Sequence, residues 1–329
     1  MTPLIYVCAS NIGLFESADA GNQKSVLDLR TKEPFPLQDY SSMKHGDSEC
    51  TRRFAVMAAK AILREVPEVA FADSPPRFVV CFRGLPIAST YLSSYTVEEI
   101  NKARRGKGVT GDADLLVVDR SSANFGKDYA TRSLTEREAT HKAMTYTVAE
   151  EAVFQRNLIF LDDVRITGAT DRAIERMLLP MRPKCLVIAH IAVFDQDQAL
   201  SNPAVESMLN SSVINGVEDI ATLVESGRFD LGGRALRMVL QDPEALTACL
   251  SRFPLVWLRR FIAAADLIGE EFTEQFREGL QVLRAAIKRR EGHYEASQTG
   301  AFQPSAAIML GRTNLQGQSV LQGTVCTEI

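Results

Sequence analysis

Two adjacent acids, Asp162 and Asp163, stand three residues ahead of the turn Thr167-Gly168-Ala169-Thr170 in the stretch NLIFLDDVRITGAT. Carboxylates accept hydrogen bonds from sugar hydroxyls or face a metal ion bound to them. A glycine-containing turn that opens a helix offers unpaired backbone N–H groups and the positive end of the helix dipole, which suit a phosphate. Gly168 lets the backbone come close, and the two threonines add hydroxyl donors. The combination fits a sugar phosphate. For the acids alone, an equal reading is that they merely cap the following helix.

Short apolar runs must carry these residues. LIYVCA (4–9), RFVVCF (77–82), DLLVVD (114–119), NLIFLD (157–162) and CLVIAHIAVF (185–194) are near-continuously apolar, as strands covered on both faces are. Helical spacing occurs between them at 48–66, 134–154 and 170–180, with Pro67 and Pro180 as stops. This β-α-β rhythm predicts an α/β fold, a doubly wound and mostly parallel sheet with its ligands at the strand C-termini. Beyond residue 200 the pattern turns helical over 217–290, punctuated by Gly and Pro. We expect an α/β domain over 1–200, a helical subdomain over 201–291 and a loosely ordered tail over 292–329.

A second strand-turn-helix candidate is VVCFRGLPIAST (79–90), where Arg83 and Gly84 sit at the tip of a turn able to cradle pyrophosphate. Turns of this composition are also common without any ligand. The basic run NKARRGKG (101–108) is either a phosphate-facing patch or, more simply, a solvated turn. His190, inside an apolar run, is expected to be a core histidine.

Composition narrows the class. The chain has 329 residues, 46% hydrophobic and 24% charged, with a net charge of −4. An acidic pI near 5.7 argues against a general nucleic-acid or membrane-surface binder. No apolar run is long enough to span a bilayer, and the N-terminus lacks a basic region before its apolar stretch. Six scattered cysteines without a C-x-x-C pair point to free thiols in a reducing compartment, hence the cytoplasm.

The string of four hydrophobic residues, two acids and T-G-x-T resembles the phosphoribosyl-diphosphate (PRPP) motif of type I phosphoribosyltransferases. Arg165 and Ile166 depart from it, where the family prefers an aliphatic and a small residue. The resemblance implies that Asp162 and Asp163 bind the ribose hydroxyls, while Thr167, Gly168, Ala169 and Thr170 wrap the 5′-phosphate. Over residues 40–200 the chain is similar to the orotate-type members. By that resemblance Arg83 and Gly84 form the pyrophosphate loop, which in the family often holds a cis peptide. Lys44, in YSSMKHGDSE, takes the place of a pyrophosphate-reaching lysine, although a serine-rich turn with a solvated lysine describes it equally well. The segment 119–138 stands where the family has a mobile basic lid, with Arg120, Lys127 and Arg132 as candidates; Arg120 and Lys127 are the catalytic assignments. Asp195 corresponds to an acid that contacts the acceptor or a magnesium ion, or else caps a turn. A helical extension on an orotate-like core is similar to the phosphoribosyltransferases linked to tellurite-resistance and stress gene clusters.

What this implies is a PRPP-dependent transferase that ribosylates a nitrogenous base or related acceptor, releases pyrophosphate and uses Mg²⁺. Such a reaction needs positioning, charge neutralisation and water exclusion rather than a covalent nucleophile. The implied partners are PRPP and a nitrogenous acceptor, with no nucleic acid or membrane, in a homodimer. The competing reading is a PRPP- or nucleotide-sensing regulator that keeps the fold without turnover.

Overall fold

The computed structural model describes residues 2–16, 24–82, 84–120, 146–201 and 205–298. Strands β1 (Leu4–Cys8) and β2 (Asn11–Glu16) are followed by β3 (Lys24–Asp28), then by helices α1 (Leu37–Lys44), α2 (Ser48–Glu65) and α3 (Pro67–Ala70). Next come β4 (Arg77–Phe82), α4 (Ala88–Gly106), β5 (Asp114–Arg120), β6 (Tyr146–Thr147), β7 (Asn157–Arg165), α5 (Ala169–Leu178) and β8 (Cys185–Phe194). The described strands form one sheet in the order β3-β2-β8-β7-β4-β5-β6, and β1 pairs with the first half of β8. Its interior pairings are parallel; β2–β3 and β5–β6 close the edges antiparallel.

Helices cover both faces, because alternate strand residues bury in opposite directions. Ile159 and Leu161 of β7 join a core built with α1, α2 and α4. Leu158 and Phe160 join another built with Ile174 and Leu178 of α5. The fold is therefore a doubly wound α/β sheet, as the sequence predicts. Asp47 caps α2 by accepting from the backbone of Glu49 and Cys50 at 2.9 and 3.1 Å.

Two expectations change. The helix anticipated over 134–154 is, in its described part, the short strand β6 and a single tight turn at Glu150–Ala152. Tyr146 and Thr147 pair with Arg120 and Asp119, so the sheet edge takes their backbone groups. The basic run at 101–108 is the end of α4, not a solvated turn. Arg104 there is fully buried and donates to the carbonyls of Ala70, Ala72, Thr110 and Gly111 at 2.6–3.1 Å. Converging carbonyls make burial of that charge tolerable.

After β8 the chain continues through α6 (Gln196–Ser201), α7 (Val205–Asn210), α8 (Val217–Glu225), α9 (Gly233–Leu240), α10 (Pro243–Cys249), α11 (Leu255–Ile268), α12 (Glu270–Gln275) and α13 (Arg277–Gln298). Residues 214–286 have their own apolar core, in which Phe253 and Phe261 meet edge-on with centroids 5.4 Å apart. Burying each such ring contributes about 1.5–3 kcal/mol. Residues 1–288 make one compact unit. Among the described residues no helix is long and apolar enough to cross a membrane.

Candidate functional site

Strand β7 runs three residues further than the anticipated 157–162 and ends at Arg165, so both acids lie within paired strand. Alternation then sends their side chains to opposite faces of the sheet. Asp163 points toward α1 and is buried at 7% exposure. Its Oδ1 accepts from the Tyr40 hydroxyl at 3.0 Å and from the Val164 N–H at 2.6 Å, and its Oδ2 is ion-paired with the Lys44 ammonium. Burial opposes ionisation of Asp163, yet the charge and hydrogen bond of Lys44 outweigh it and hold the carboxyl below its ordinary value. Tyr40 is buried beside that negative charge, and its phenol is pushed well above the usual range.

Asp162 faces the other way, in register with His190 of β8. Burial, then the adjacent charge of Asp163, push its carboxyl up to about 7. His190 is a core histidine, 2% exposed, with Nε2 3.0 Å from Asp171 Oδ1. The neighbouring acids thus differ in kind: one is fixed as a carboxylate, the other sits near neutrality.

The turn that follows is built on a glycine. Gly168 has φ +68°, a left-handed conformation that disfavours a side chain, and it is the cap of α5. A Cβ there would lie 3.1 Å from Nε and Nη2 of Arg165. Arg165 is turned aside by Asp171, 3.1 Å from its Nε, and its guanidinium lies 5.4 Å from the Tyr6 ring centre. Arg172 donates to the Thr167 carbonyl at 3.2 Å. The arginine that departs from the sequence pattern is therefore accommodated beside the turn.

The remaining candidates separate. Gly84, with φ +67°, follows β4 at the same carboxyl end of the sheet; a Cβ on it would meet the Leu267 carbonyl at 2.5 Å. Arg83, Lys127 and Arg132 lie outside the described residues, as does the Arg83–Gly84 peptide. The backbone of Arg120 ends β5; its side chain is likewise outside the description. Asp195 follows β8 and accepts from the Gln198 N–H at 3.0 Å, capping α6. Among the described residues no group of three or more His, Cys, Asp and Glu is arranged to hold a metal. The structure brings Lys44 to Asp163, and it adds Tyr40, which sequence reasoning missed. The signal was present: Tyr40 precedes Lys44 by four residues, the spacing that puts two side chains on one helix face.

Chemically, two carboxylates, a glycine-centred turn at a helix start and a lysine paired with one of the acids lie near the carboxyl ends of parallel strands, where α/β sheets bind ligands. No curated protein matches the chain. Among solved structures, hypoxanthine-guanine phosphoribosyl transferase from L. donovani is 16% identical, covering 44% of this chain and 72% of its own, with a TM-score of 0.28. One from Bacillus anthracis is 14% identical, covering 45% and 71%, with a TM-score of 0.29. The Trypanosoma cruzi hypoxanthine phosphoribosyltransferase in complex with the product IMP is 13% identical, covering 44% and 66%, also with a TM-score of 0.29. The family model described as PRTase ComF-like matches residues 25–254, a span that holds the two acids, the turn, Lys44 and Gly84. That is well over half of the 329 residues, and the chain belongs to the ComF-like phosphoribosyltransferase family.

Proposed function

We propose that this protein transfers the phosphoribosyl group of PRPP to a nitrogenous base or related acceptor, with release of pyrophosphate. The observation that carries this reading is the β7–turn–α5 junction. There the left-handed Gly168 opens α5 between two threonines, shortly after a strand that carries two adjacent acids near its C-terminal end. In this reading the Thr167–Thr170 turn holds the 5′-phosphate through backbone N–H groups and hydroxyls. Asp162 and Asp163 accept from the ribose hydroxyls. Lys44 and the basic residues Arg83, Arg120 and Lys127 neutralise the pyrophosphate, and Gly84 lets the backbone approach it. The acceptor nitrogen attacks C1′ as the pyrophosphate departs, so orientation and exclusion of water are the protein's main contributions.

In this reading a Mg²⁺ would be held chiefly by the oxygens of PRPP and by water, with Asp195 as the one protein carboxylate. Bound in that way, the ion supplies neutralisation of the leaving charge. The acidic composition disfavours nucleic acid as a partner; in this reading the partners are PRPP and its acceptor, and the protein works in the cytoplasm as a homodimer.

One observation favours a regulator that binds PRPP or a nucleotide without turnover: Lys44 and Asp163 are already committed to each other. The two readings part in one experiment. With PRPP, Mg²⁺ and a panel of purine, pyrimidine and pyridine bases, the enzyme releases pyrophosphate in a base-dependent manner. Tight PRPP binding without release for any base supports the regulator instead.

A further inference from the structure

The turn assigned above to pyrophosphate is seated on the helical region. The Leu267 carbonyl, near the end of α11, lies 2.5 Å from where a Cβ on Gly84 would stand. Leu85 packs against the apolar core of residues 214–286, and a Cβ on Gly232 would lie 3.4 Å from the Pro86 carbonyl. The turn that follows Lys44 is held by the same region. Arg228–Gly232, the segment leading into α9, runs beside Gly46–Ser48. The Ser48 N–H donates to the Arg228 carbonyl and the Asp230 N–H to the Gly46 carbonyl, each at 2.8 Å; Asp47 and Phe229 form an antiparallel bridge. Phe229 fixes the segment to the helical core, its ring centre 5.0 Å from that of Trp257.

One residue of the segment is bonded to both sides. Asp230 gives its N–H to Gly46, and its Oδ2 accepts from the Tyr95 hydroxyl at 2.7 Å. Tyr95 lies on α4, the helix that opens at Ala88 just after the Gly84 turn. Tyr91, one turn earlier on α4, donates to the Leu231 carbonyl at 2.9 Å. The Tyr95 ring is itself braced: the Arg52 guanidinium lies 3.9 Å from its centre and is paired with Glu98 at 2.8 Å. Gly46 has φ +99°, and the Asp230 carbonyl occupies the place its Cβ would take, so this close approach requires glycine. The separation between the Lys44 turn and the start of α4 is therefore tied to one side chain. A pyrophosphate spans several ångströms, and hydrogen bonds to it weaken steeply as their distance and angle depart from the optimum. Holding its donors in place beforehand lowers the ordering cost of binding.

We propose that Asp230 is a positioning residue for the pyrophosphate of PRPP, through which the helical region holds the Lys44 turn and the Gly84 turn at a fixed separation. This rests on the reading of the protein as a PRPP binder. Calorimetry tests it with three ligands, PRPP with Mg²⁺, inorganic pyrophosphate with Mg²⁺, and ribose 5-phosphate. The proteins compared are wild type, Asp230→Ala, Asp230→Asn and Tyr95→Phe. Asp230→Ala and Tyr95→Phe both lose the link to α4 and should bind PRPP and pyrophosphate about tenfold more weakly, the equivalent of one hydrogen bond. Ribose 5-phosphate, which lacks the pyrophosphate, should bind them as it does wild type. Asp230→Asn keeps an oxygen that accepts from Tyr95 and should bind all three ligands like wild type. Unchanged pyrophosphate affinity in Asp230→Ala or Tyr95→Phe overturns the inference. So does a uniform loss across the three ligands, which marks a structural role, and so does an Asp230→Asn variant as weak as Asp230→Ala. Should Asp230→Ala fail to fold, Tyr95→Phe, which removes a single hydroxyl, is read in its place: a selective loss supports the inference, and unchanged or uniform affinity overturns it. A wild type that melts cooperatively but binds no PRPP refutes the functional reading and this inference with it. PRPP binding that is lost in Asp162→Asn but kept in Asp230→Ala refutes only the role of Asp230.

Discussion

Lys44, the last residue of α1, is ion-paired with Asp163 near the end of β7, across 119 positions of sequence. The two side chains are 14% and 9% exposed, so neither charge can be hydrated if its partner is removed. Lys44→Ala should therefore destabilise the protein by roughly 3–5 kcal/mol, the cost of stranding a buried charge. Adding Asp163→Asn should restore a large part of that loss, since the stranded charge disappears. Urea unfolding of the wild type, the single variants and the double variant measures both, and additive losses would show that the pair is not coupled.

Asp162 gives stability a pH dependence with a definite sign. Its folded-state carboxyl titrates at about 7 against an ordinary value of 3.8, so the native state holds a proton that the unfolded chain has released. Stability contributed by Asp162 is complete below about pH 4 and is lost as the pH rises toward 7. Asp162→Asn should have a flatter melting profile between pH 4 and 7 than the wild type. Melting curves that fall in parallel for both proteins would assign the dependence to other groups.

Gly168→Ala should weaken PRPP binding, because it forces a side chain into a left-handed conformation at φ +68° and crowds the Arg165 guanidinium. The backbone strain alone is about 1–2 kcal/mol. Gly227 is a matched control: it has φ +70°, and a Cβ there meets nothing within 4 Å. Gly227→Ala should lose similar stability and keep its PRPP affinity. Equal affinity losses in the two variants would mean that the turn makes no ligand contact.

Arg104→Met should be far more damaging than Arg105→Ala, though the two residues are adjacent. Removing the Arg104 guanidinium leaves the buried Ala70 carbonyl without its donor, at about 1–3 kcal/mol for a group that water cannot reach, and frees three part-buried carbonyls in the two loops it ties together. Arg105 pairs with Asp112 at the surface, where both side chains are 59% exposed, and such pairs contribute about 0–1 kcal/mol. Thermal unfolding of the two variants ranks them directly.

The parts of the fold that were legible in the sequence are those set by local apolar pattern. RFVVCF and CLVIAHIAVF become β4 and β8 with the expected bounds, and α2 begins at the expected Ser48. The turn at Thr167–Thr170 was also legible, since a glycine between two threonines at a helix start is a local signal. The edge hairpin of β2 and β3 was not, because its mixed polar pattern becomes strand only through pairing with distant β8. Nor was the burial of Arg104, which depends on carbonyls that tertiary folding brings from both sides. The four-residue spacing of Tyr40 and Lys44 was legible, but their meeting with Asp163, more than a hundred positions away, was not.

The opposite facings of Asp162 and Asp163 make the chemistry of β7 a matter of parity. A single-residue deletion between Asn157 and Leu161 would exchange the surroundings of the two acids without altering the motif that follows. The carboxylate now clasped by lysine and tyrosine would face histidine, and the near-neutral one would face α1. The spacing between the strand's first paired residue and its acids is thus itself a functional element, and insertions in this chain should be tolerated in its turns long before they are tolerated there.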